Sequence, residues 1–412
     1  MSWCVKSIDD ITEVVTKGTT PSTYGMPFTD EGINFVKAEA LNGDVTLDRS
    51  GFTFIDDETH EKLKRSKLQQ HDVLVTIAGA NVGKCGYVRP SDVPANTNQA
   101  VGIARVKKEE ANPRYIYYHF KNPSTFAMCQ GIGGGQAAQP NINLTMLKGF
   151  KVNVPDLESQ NRIVGVIGAY DDLIENNKRR IELLEESARQ LYKEWFVRFR
   201  FPGHEHVKII DGVPEGWTAG CVGDTAKVFS GYAFKSKDWL EEGNPVIKIK
   251  NITSTNTVDV SGCQCVDDNV AEKAAKFKLS AGDMLIAMTG ATVGKVGLMP
   301  TSERSFYLNQ RVGKFETKIG RDVTPLLLSF FNSEKAQSSI LNLAGGAAQP
   351  NISAKQIESI ELPIPPETLL NTFLDETENL FTLRLNLVDQ IFRLTQARDL
   401  LLPKLMNGEI AV

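Results

Sequence analysis

The chain lacks most of the sequence patterns that mark catalytic and membrane proteins. Its five histidines form no HExxH motif, and no GxSxG, GxGxxG or (Asn/Asp)-Pro-Pro-aromatic segment occurs. No run of about 18 apolar residues is present, and the first residues have no apolar signal-peptide core. These absences predict no catalytic residue and no membrane span. We therefore expect a protein that binds a partner rather than one that catalyses a reaction.

Cysteine and unbalanced charge are also scarce. The six cysteines show no paired CxxC spacing, and only Cys263 and Cys265 lie close together, without a nearby histidine. We therefore predict no metal site, and a reducing cytoplasm as the compartment. The net charge is −4 and no block of like charge occurs, which argues against non-specific coating of nucleic acid but allows a local basic groove.

The chain repeats itself. The segment HDVLVTIAGANVGKCGYV (71–88) matches GDMLIAMTGATVGKVGLM (282–299) at an offset of 211 residues. GGGQAAQPNI (133–142) overlays AGGAAQPNI (344–352) at an offset of 210. Matches in one order with a nearly constant offset predict an internal duplication, in which each copy is a globular unit followed by a long helix.

Residues 158–200 predict the first long helix. Apolar side chains recur there at alternating steps of four and three, and charged residues fill the other faces. The seam comprises Ile163, Ile167, Tyr170, Ile174, Asn177, Ile181, Leu184, Ala188, Leu191 and Trp195. Asn177 is the only polar member before the last turns, and we predict that it fixes the register of a coiled coil.

A second long helix is predicted from 366 to about 402. Its apolar face comprises Phe373, Leu380, Leu387, Ile391, Leu394 and Leu401. Duplicated units prefer pseudo-two-fold arrangements, so we expect the two helices to pack antiparallel and to hold the globular units at opposite ends.

Each globular unit reads as mixed and largely β. Short alternating segments bounded by Gly, Pro, Asn and Asp predict strands, and one helical stretch precedes each glycine-rich loop, at 113–129 and 322–341. The predicted fold is α+β, with two tandem units separated by an antiparallel two-helix coiled coil. We place the first unit at 1–154, the central helix at 155–202, the second unit at 203–364, and the C-terminal helix and tail at 365–412.

The loop GANVGKC resembles a nucleotide-binding P-loop but departs from it. Gly79 and Gly83 are one residue too close, and Cys85 and Val296 stand where a magnesium-binding hydroxyl belongs. We expect a strand–turn–strand loop, in which Lys84 and Lys295 project either to a ligand phosphate or to solvent.

The two glycine-rich segments admit two interpretations. Their glycines and prolines favour hinges between globular unit and helix, whereas their amides can also bond to bases or to a protein partner. The residues concerned are Gln139, Pro140, Asn141, Gln349, Pro350 and Asn351.

Polar and basic residues at the loop tips differ between the copies, as expected of two readers of different DNA sequences. Gln and Asn can bond bidentately to adenine and Arg or Lys to guanine, although solvated surface is the default for any single residue. The candidates for DNA contact are Lys17, Thr19, Thr20, Lys37, Lys84, Asn98 and Gln99 in the first copy, and Tyr232, Lys235, Lys237, Lys250, Lys295, Asn309, Gln310 and Arg311 in the second.

These features together resemble the specificity subunit of type I restriction–modification enzymes. The resemblance rests on the two TGATVGK-like and AAQPNI segments, each followed by a long helix, on DGVPEGW (211–217), and on the tail LLPKLMNGEI. It covers the whole chain. A protein-interaction scaffold without a nucleic-acid role, and a nucleotide-binding enzyme, are the competing hypotheses.

The resemblance implies that each globular unit is a target recognition domain that reads half of an asymmetric, bipartite site in double-stranded DNA. The helices would then set the spacing and dock two modification subunits that methylate adenine. S-adenosylmethionine, ATP and magnesium are expected on the modification and restriction subunits, and no cofactor on this chain. The expected location is the prokaryotic cytoplasm.

Overall fold

The computed structural model describes residues 3–133, 141–345 and 350–412. The chain forms two compact units. The N-terminal unit comprises Met1–Asn176 and Ile391–Val412, and the C-terminal unit comprises Asn177–Gln390. Each long helix contributes one part to each unit. Among the described residues, no helix combines the length and the apolar composition that crossing a membrane requires.

The N-terminal unit is built on three small sheets. Its strands are β1 (Cys4–Ser7), β2 (Thr12–Lys17), β3 (Ile33–Val36), β4 (Phe52–Ile55), β5 (Val73–Thr76), β6 (Cys85–Tyr87), β7 (Ala95–Thr97), β8 (Val101–Val106) and β9 (Lys151–Val154). The strand orders are β2-β8-β5-β6, β4-β3-β7 and β1-β9. The pairing of β1 with β9 joins the two ends of this globular region, because Cys4 lies opposite Val154.

Short helices complete the N-terminal globular region. They are α1 (Asp57–Lys62), α2 (Pro113–Lys121), α3 (Pro123–Gly133) and α4 (Leu144–Gly149). The sequence predicts one helical stretch here, whereas the structure has two helices. The break has a local cause, because Pro123 disfavours a helical residue before it and the Asn122 side chain accepts a hydrogen bond from the Ser124 amide.

Three tyrosines of α2 form the centre of the N-terminal core. Tyr115, Tyr117 and Tyr118 are fully buried, and each hydroxyl has an acceptor. The Tyr115 hydroxyl donates to the Asn153 carbonyl of β9, and the Tyr117 hydroxyl to the Gly43 carbonyl. The three tyrosine rings are therefore buried with every hydroxyl hydrogen-bonded, and these bonds hold α2 to its surroundings on several sides.

The C-terminal unit repeats these pairings. Its strands are β10 (Ile209–Ile210), β11 (Val213–Pro214), β12 (Thr218–Cys221), β13 (Ala226–Ser230), β14 (Asn244–Ile247), β15 (Cys265–Val266), β16 (Lys278–Leu279), β17 (Met284–Ala287), β18 (Val296–Leu298), β19 (Phe306–Leu308), β20 (Val312–Thr317) and β21 (Glu361–Ile364). The orders β13-β20-β17-β18 and β12-β21 correspond to β2-β8-β5-β6 and β1-β9. The parallel pair Val36–Thr97 also has a counterpart 211 residues on, the pair Ile247–Leu308.

The helices of the C-terminal unit repeat the capping pattern. They are α5 (Leu157–Tyr192), which begins in the N-terminal unit, α6 (Val222–Thr225), α7 (Asp268–Lys273), α8 (Thr324–Phe331), α9 (Glu334–Leu343), α10 (Ala354–Glu358) and α11 (Glu367–Met406). Asp56 caps α1 by accepting from the Thr59 amide, and Asp267 caps α7 by accepting from the Val270 amide. The same residue type therefore starts the matching helix in each unit.

The two long helices match the predicted extents closely. The first ends at Tyr192 and continues as a π-helical turn over Lys193–Val197. In the C-terminal unit, Phe196 of this turn packs against Trp217 and Phe373, with ring centroids 5.4 and 4.9 Å apart.

Contacts within each unit join α5 and α11. In the C-terminal unit, the Asn177 amide donates to Gln390 (3.1 Å) and Glu185 accepts from Arg384 (2.6 Å), so the partners run in opposite order along these segments. Six of the ten predicted seam residues are buried, namely Ile163, Ile167, Ile174, Asn177, Ile181 and Trp195. Tyr170, Leu184, Ala188 and Leu191 are only half-buried.

A buried polar group, which we call the N-terminal anchor, binds α2 to both long helices in the N-terminal unit. Asp171 accepts a hydrogen bond from the Tyr118 hydroxyl (2.8 Å) and one from the Arg398 guanidinium (2.9 Å). Asp171 and Arg398 are only 2% and 6% exposed.

The C-terminal anchor has another composition. The Arg384 guanidinium donates to Glu185 and to the backbone carbonyls of Thr255 (3.1 Å) and Asn256 (2.8 Å). The Asn256 amide in turn donates to Glu185 (3.2 Å). This anchor therefore binds a loop backbone, where the N-terminal anchor binds a helix side chain.

Candidate nucleic-acid interface

Three loops meet in the N-terminal unit and carry several candidate residues. They are the segment after β2 (18–20), the turn after α1 (64–67) and the connection between β7 and β8 (98–100). The Thr19 amide donates to the Thr97 carbonyl (3.0 Å), and Arg65 donates to the Thr19 hydroxyl (3.1 Å). The Thr20 hydroxyl donates to the side-chain oxygen Oε1 of Gln99. Thr19, Thr20 and Gln99, which the sequence predicts as DNA contacts, are thus brought together.

A glycine makes this meeting possible. A Cβ on Gly18 would lie 2.2 Å from the Thr97 carbonyl oxygen, far inside van der Waals contact. A Cβ on Gly231 would lie 2.2 Å from the Leu308 carbonyl oxygen in the C-terminal unit. The close approach of these two loops therefore requires glycine in both units.

Asn98 and Asn309 have a structural role in the same loops. The Asn98 side-chain oxygen accepts from the Ala100 amide (3.2 Å), and the Asn309 oxygen accepts from the Arg311 amide (3.1 Å). Such turns fix the backbone that presents the neighbouring Gln99 and Gln310, both of which are exposed. Contact of the two asparagines with DNA stays a prediction.

The matching loops of the C-terminal unit carry different side chains. The backbone N–H of Gln310 donates to the Tyr232 carbonyl (2.9 Å). The centre of the Tyr232 ring lies 5.0 Å from that of Phe234 and 5.9 Å from that of Phe277. Arg311 is exposed beside Gln310. An aromatic cluster around Tyr232 thus occupies the place of Thr19 and its neighbours in the N-terminal unit.

The remaining basic candidates are exposed or half-buried. Lys17, Lys235, Lys237 and Lys250 are exposed, and the Lys37 ammonium lies 5.1 Å from the centre of the Phe28 ring. Beside Lys250, the Lys248 ammonium lies 3.2 Å from the centre of the Trp239 ring, and burial lowers its pKa. This cation–π pair is a basic feature that the sequence did not single out.

Lys84 and Lys295 lie in strand–turn–strand loops, as predicted. Strand β6 begins at Cys85 and β18 at Val296, so no helix N-terminus follows either lysine. Each loop also pairs with the segment expected to act as a hinge, because Ala78 bridges to Asn141 and Thr289 to Asn351.

The hinge candidates are only partly described. Gln139, Pro140 and Gln349 lie outside the described residues. The Pro350 carbonyl accepts from the Gly290 amide (2.9 Å), which binds this segment to the loop of Lys295. Whether Asn141, Pro350 and Asn351 act as hinges or as partner contacts stays a prediction.

Sequence reasoning missed basic residues at the end of α1 and on the turn after it, and their counterparts at the end of α7 and after it. They are Lys62, Arg65 and Lys67 in the N-terminal unit and Lys273, Lys276 and Lys278 in the C-terminal unit. Each residue of the first set has its counterpart in the second set 211 residues later, which is the offset that relates the best-matching segments of the two copies. A search for basic residues that recur at this offset would have found them.

No group of three or more His, Cys, Asp or Glu side chains able to hold a metal ion occurs within residues 3–133, 141–345 and 350–412. Polar loops on two matching frameworks, joined to long helices, are features of a modular binding protein.

Comparison with known proteins identifies the class. A family model described as "Type I restriction modification DNA specificity domain" matches residues 2–186 and 214–368. The chain therefore belongs to the family of type I restriction–modification specificity subunits.

Individual relatives agree with this assignment. The type I restriction enzyme MjaIX specificity subunit of Methanocaldococcus jannaschii is 27% identical over 100% of this chain and 94% of the relative. The HindI specificity subunit of Haemophilus influenzae is 23% identical over 66% of this chain and 71% of the relative.

A solved structure has a similar fold. It is the crystal structure of the type I restriction–modification S subunit from M. genitalium, with a TM-score of 0.57 and 17% identity. The match covers 98% of this chain and 96% of that one.

Proposed function

We propose that this chain is the sequence-specific DNA-binding subunit of a type I restriction–modification complex and recognises an asymmetric, bipartite site. One observation carries the proposal. The two units present equivalent loops on the same glycine-dependent framework, at Gly18 and Gly231, but with different side chains. Equivalent geometry with different chemistry is what two half-sites of unlike sequence require.

We further propose that the two halves arose by internal duplication and that α5 and α11 form an antiparallel coiled coil. The strand registers 211 residues apart support the duplication. The opposite order of the pairs Asn177–Gln390 and Glu185–Arg384 supports antiparallel packing. Asn177 then sets the register of the helix pair.

Two adenine-methyltransferase subunits are proposed to dock on the long helices. Large apolar side chains of both helices are exposed, which supports the docking of a protein partner there. They are Leu173, Leu183, Leu383, Phe392 and Leu400. The chain itself is then non-catalytic and acts in the cytoplasm, with S-adenosylmethionine on the methyltransferase subunits and ATP and magnesium on the restriction subunits.

Exchange of one unit tests the proposal. The full chain is expressed with its modification subunits in a host without restriction activity, and the methylated sequence is read from the host genome. We expect a split motif. Replacing residues 1–150 by the corresponding segment of another family member is expected to change one half of the motif. A change in both halves would contradict the proposal that each unit recognises one half-site.

The docking proposal has its own test. Leu173→Asp and Leu400→Asp are expected to weaken co-purification with the modification subunit. Val5→Asp, at an exposed apolar residue of strand β1, serves as the matched control. Retention of full complex formation by both helix variants would contradict docking at this face.

A further inference from the structure

The turn that carries Arg65 is held rigidly. Lys67 bridges to Asn96 of β7, and the Leu68 amide donates to the Ala95 carbonyl (2.8 Å). The buried Asn96 amide also donates to the Leu63 carbonyl and to the Ser66 hydroxyl, both at 3.1 Å. The backbone of this turn is therefore fixed to the sheet on both sides of Arg65.

The Arg65 side chain reaches from its own turn to the neighbouring loop 18–20. One guanidinium nitrogen donates to the Thr19 hydroxyl (3.1 Å), and the side chain is exposed. Within the described parts of the chain, no carboxylate forms an ion pair with Arg65. The remaining N–H groups of the fork are free for a ligand that approaches beside Thr20 and Gln99.

The C-terminal unit differs at this point. Its counterpart to Arg65 is Lys276, and Tyr232 takes the place of Thr19. The turn itself is kept, because Lys278 pairs with Tyr307 as Lys67 pairs with Asn96. A lysine offers a point charge, whereas arginine offers a planar fork that matches two acceptors on one guanine edge.

We propose that Arg65 is a specificity-determining residue that selects a guanine in the half-site read by the N-terminal unit. This assignment rests on the proposed function. Thr19 holds the guanidinium in place, and the free N–H groups donate to the N7 and O6 atoms of guanine in the major groove. The C-terminal unit makes no equivalent arginine contact from its turn, so this selection is confined to one half-site.

The substitution Arg65→Lys tests the assignment, because it keeps the charge and removes the fork. Binding of the full chain with its modification subunits is measured against a library of DNA duplexes. We expect discrimination at a single guanine position to fall roughly 5- to 150-fold, the range for a bidentate base contact, while every other position keeps its preference. Circular dichroism checks that the exposed substitution leaves the fold unchanged.

Lys64→Ala on the same turn is the matched control. Lys64 is exposed and neighbours Arg65, and we expect its removal to weaken binding to all sequences equally. A wild-type chain with sequence preference and an Arg65→Lys variant with the same preference would overturn this assignment alone. A wild-type chain with no sequence preference would overturn the proposed function and this assignment together.

Discussion

The N-terminal and C-terminal units share their strand registers but differ in how they are anchored to the long helices. In the N-terminal anchor, Arg398 and Asp171 form an ion pair that is almost fully excluded from solvent. In the C-terminal anchor, the Glu185 side chain keeps 22% of its surface exposed, and Arg384 relies partly on backbone carbonyls. The difference teaches that a matching backbone can persist while the polar groups that fix it to the long helices diverge.

Loss of an anchor arginine gives the largest expected effect. Arg398→Met leaves the Asp171 carboxylate buried without its cation, and removal of one partner of such a pair costs about 3–5 kcal/mol. Arg384→Met leaves the more exposed Glu185 bonded to Asn256, so we expect a smaller loss of about 1–3 kcal/mol. Urea denaturation of the full chain measures both.

A double substitution controls for the buried charge. Arg398→Met combined with Asp171→Leu removes both charges, and we expect it to recover part of the stability that Arg398→Met loses. Equal destabilisation by Arg398→Met and Arg384→Met would show that the two anchors do not differ as their burial indicates.

The framework glycines come next. Gly18→Ala and Gly231→Ala each force a Cβ against a carbonyl oxygen, and we expect a cost of about 1–3 kcal/mol and weaker binding of one half-site. Gly165→Ala in α5 is the control, since a Cβ there meets nothing within 4 Å and helix propensity favours alanine by about 1 kcal/mol. If Gly18→Ala or Gly231→Ala left the free energy of unfolding unchanged, the loop at that glycine and the facing loop could move apart without cost.

The pH dependence of stability separates the two units further. Burial lowers the pKa of His119 to about 4, and its ring Nε2 has no hydrogen-bond partner in the described part of the chain. Because the unfolded histidine titrates near 6.5, the unfolded state binds more protons between these values. The contribution of neutral His119 to the free energy of unfolding is thus largely present above about pH 6.5. It falls as the pH drops, by about 2 kcal/mol at pH 5.

The counterpart of His119 in the C-terminal unit, 211 residues later, is the fully buried Phe330. A phenylalanine at position 119 should therefore fit the same place without a titrating group. His119→Phe is expected to flatten the loss of stability between pH 6.5 and 5, as measured by thermal unfolding across that range. An unchanged pH profile would assign the loss to other groups.

The smallest effect is expected at the helix seam. Asn177 matches Leu387 at an offset of 210 residues, and both are buried. Asn177→Leu is expected to raise the free energy of unfolding by up to about 1 kcal/mol, since a seam asparagine gives register at a cost in stability. A decrease instead would mean that the Asn177–Gln390 hydrogen bond stabilises the fold outright.

Much of the fold could be predicted from the sequence, because its patterns are local or repeated. The four-three spacing predicted the buried seam residues such as Ile163 and Ile167, and the extents of both long helices follow the apolar periodicity. The apolar segment bounded by turn residues predicted strand β5, and the glycines Gly79 and Gly83 predicted the turn that carries Lys84.

Contacts between distant residues could not be predicted in this way. The pairing of β1 with β9 joins positions 150 residues apart, and β1 alone has no distinctive pattern. The C-terminal anchor depends on where the loop with Thr255 and Asn256 lies, and Arg65 reaches Thr19 only because the fold brings two loops together. The preference of a residue for helix or strand does not determine which distant segments come into contact.

The contact between Trp3 and Gly408 has a practical consequence. A Cβ on Gly408 would lie 2.9 Å from the Trp3 ring, so the first and last described segments touch within the N-terminal unit. Fluorophores attached near these residues would transfer energy efficiently only while that unit is folded. Such a labelled chain would report the melting of one unit in the presence of the other.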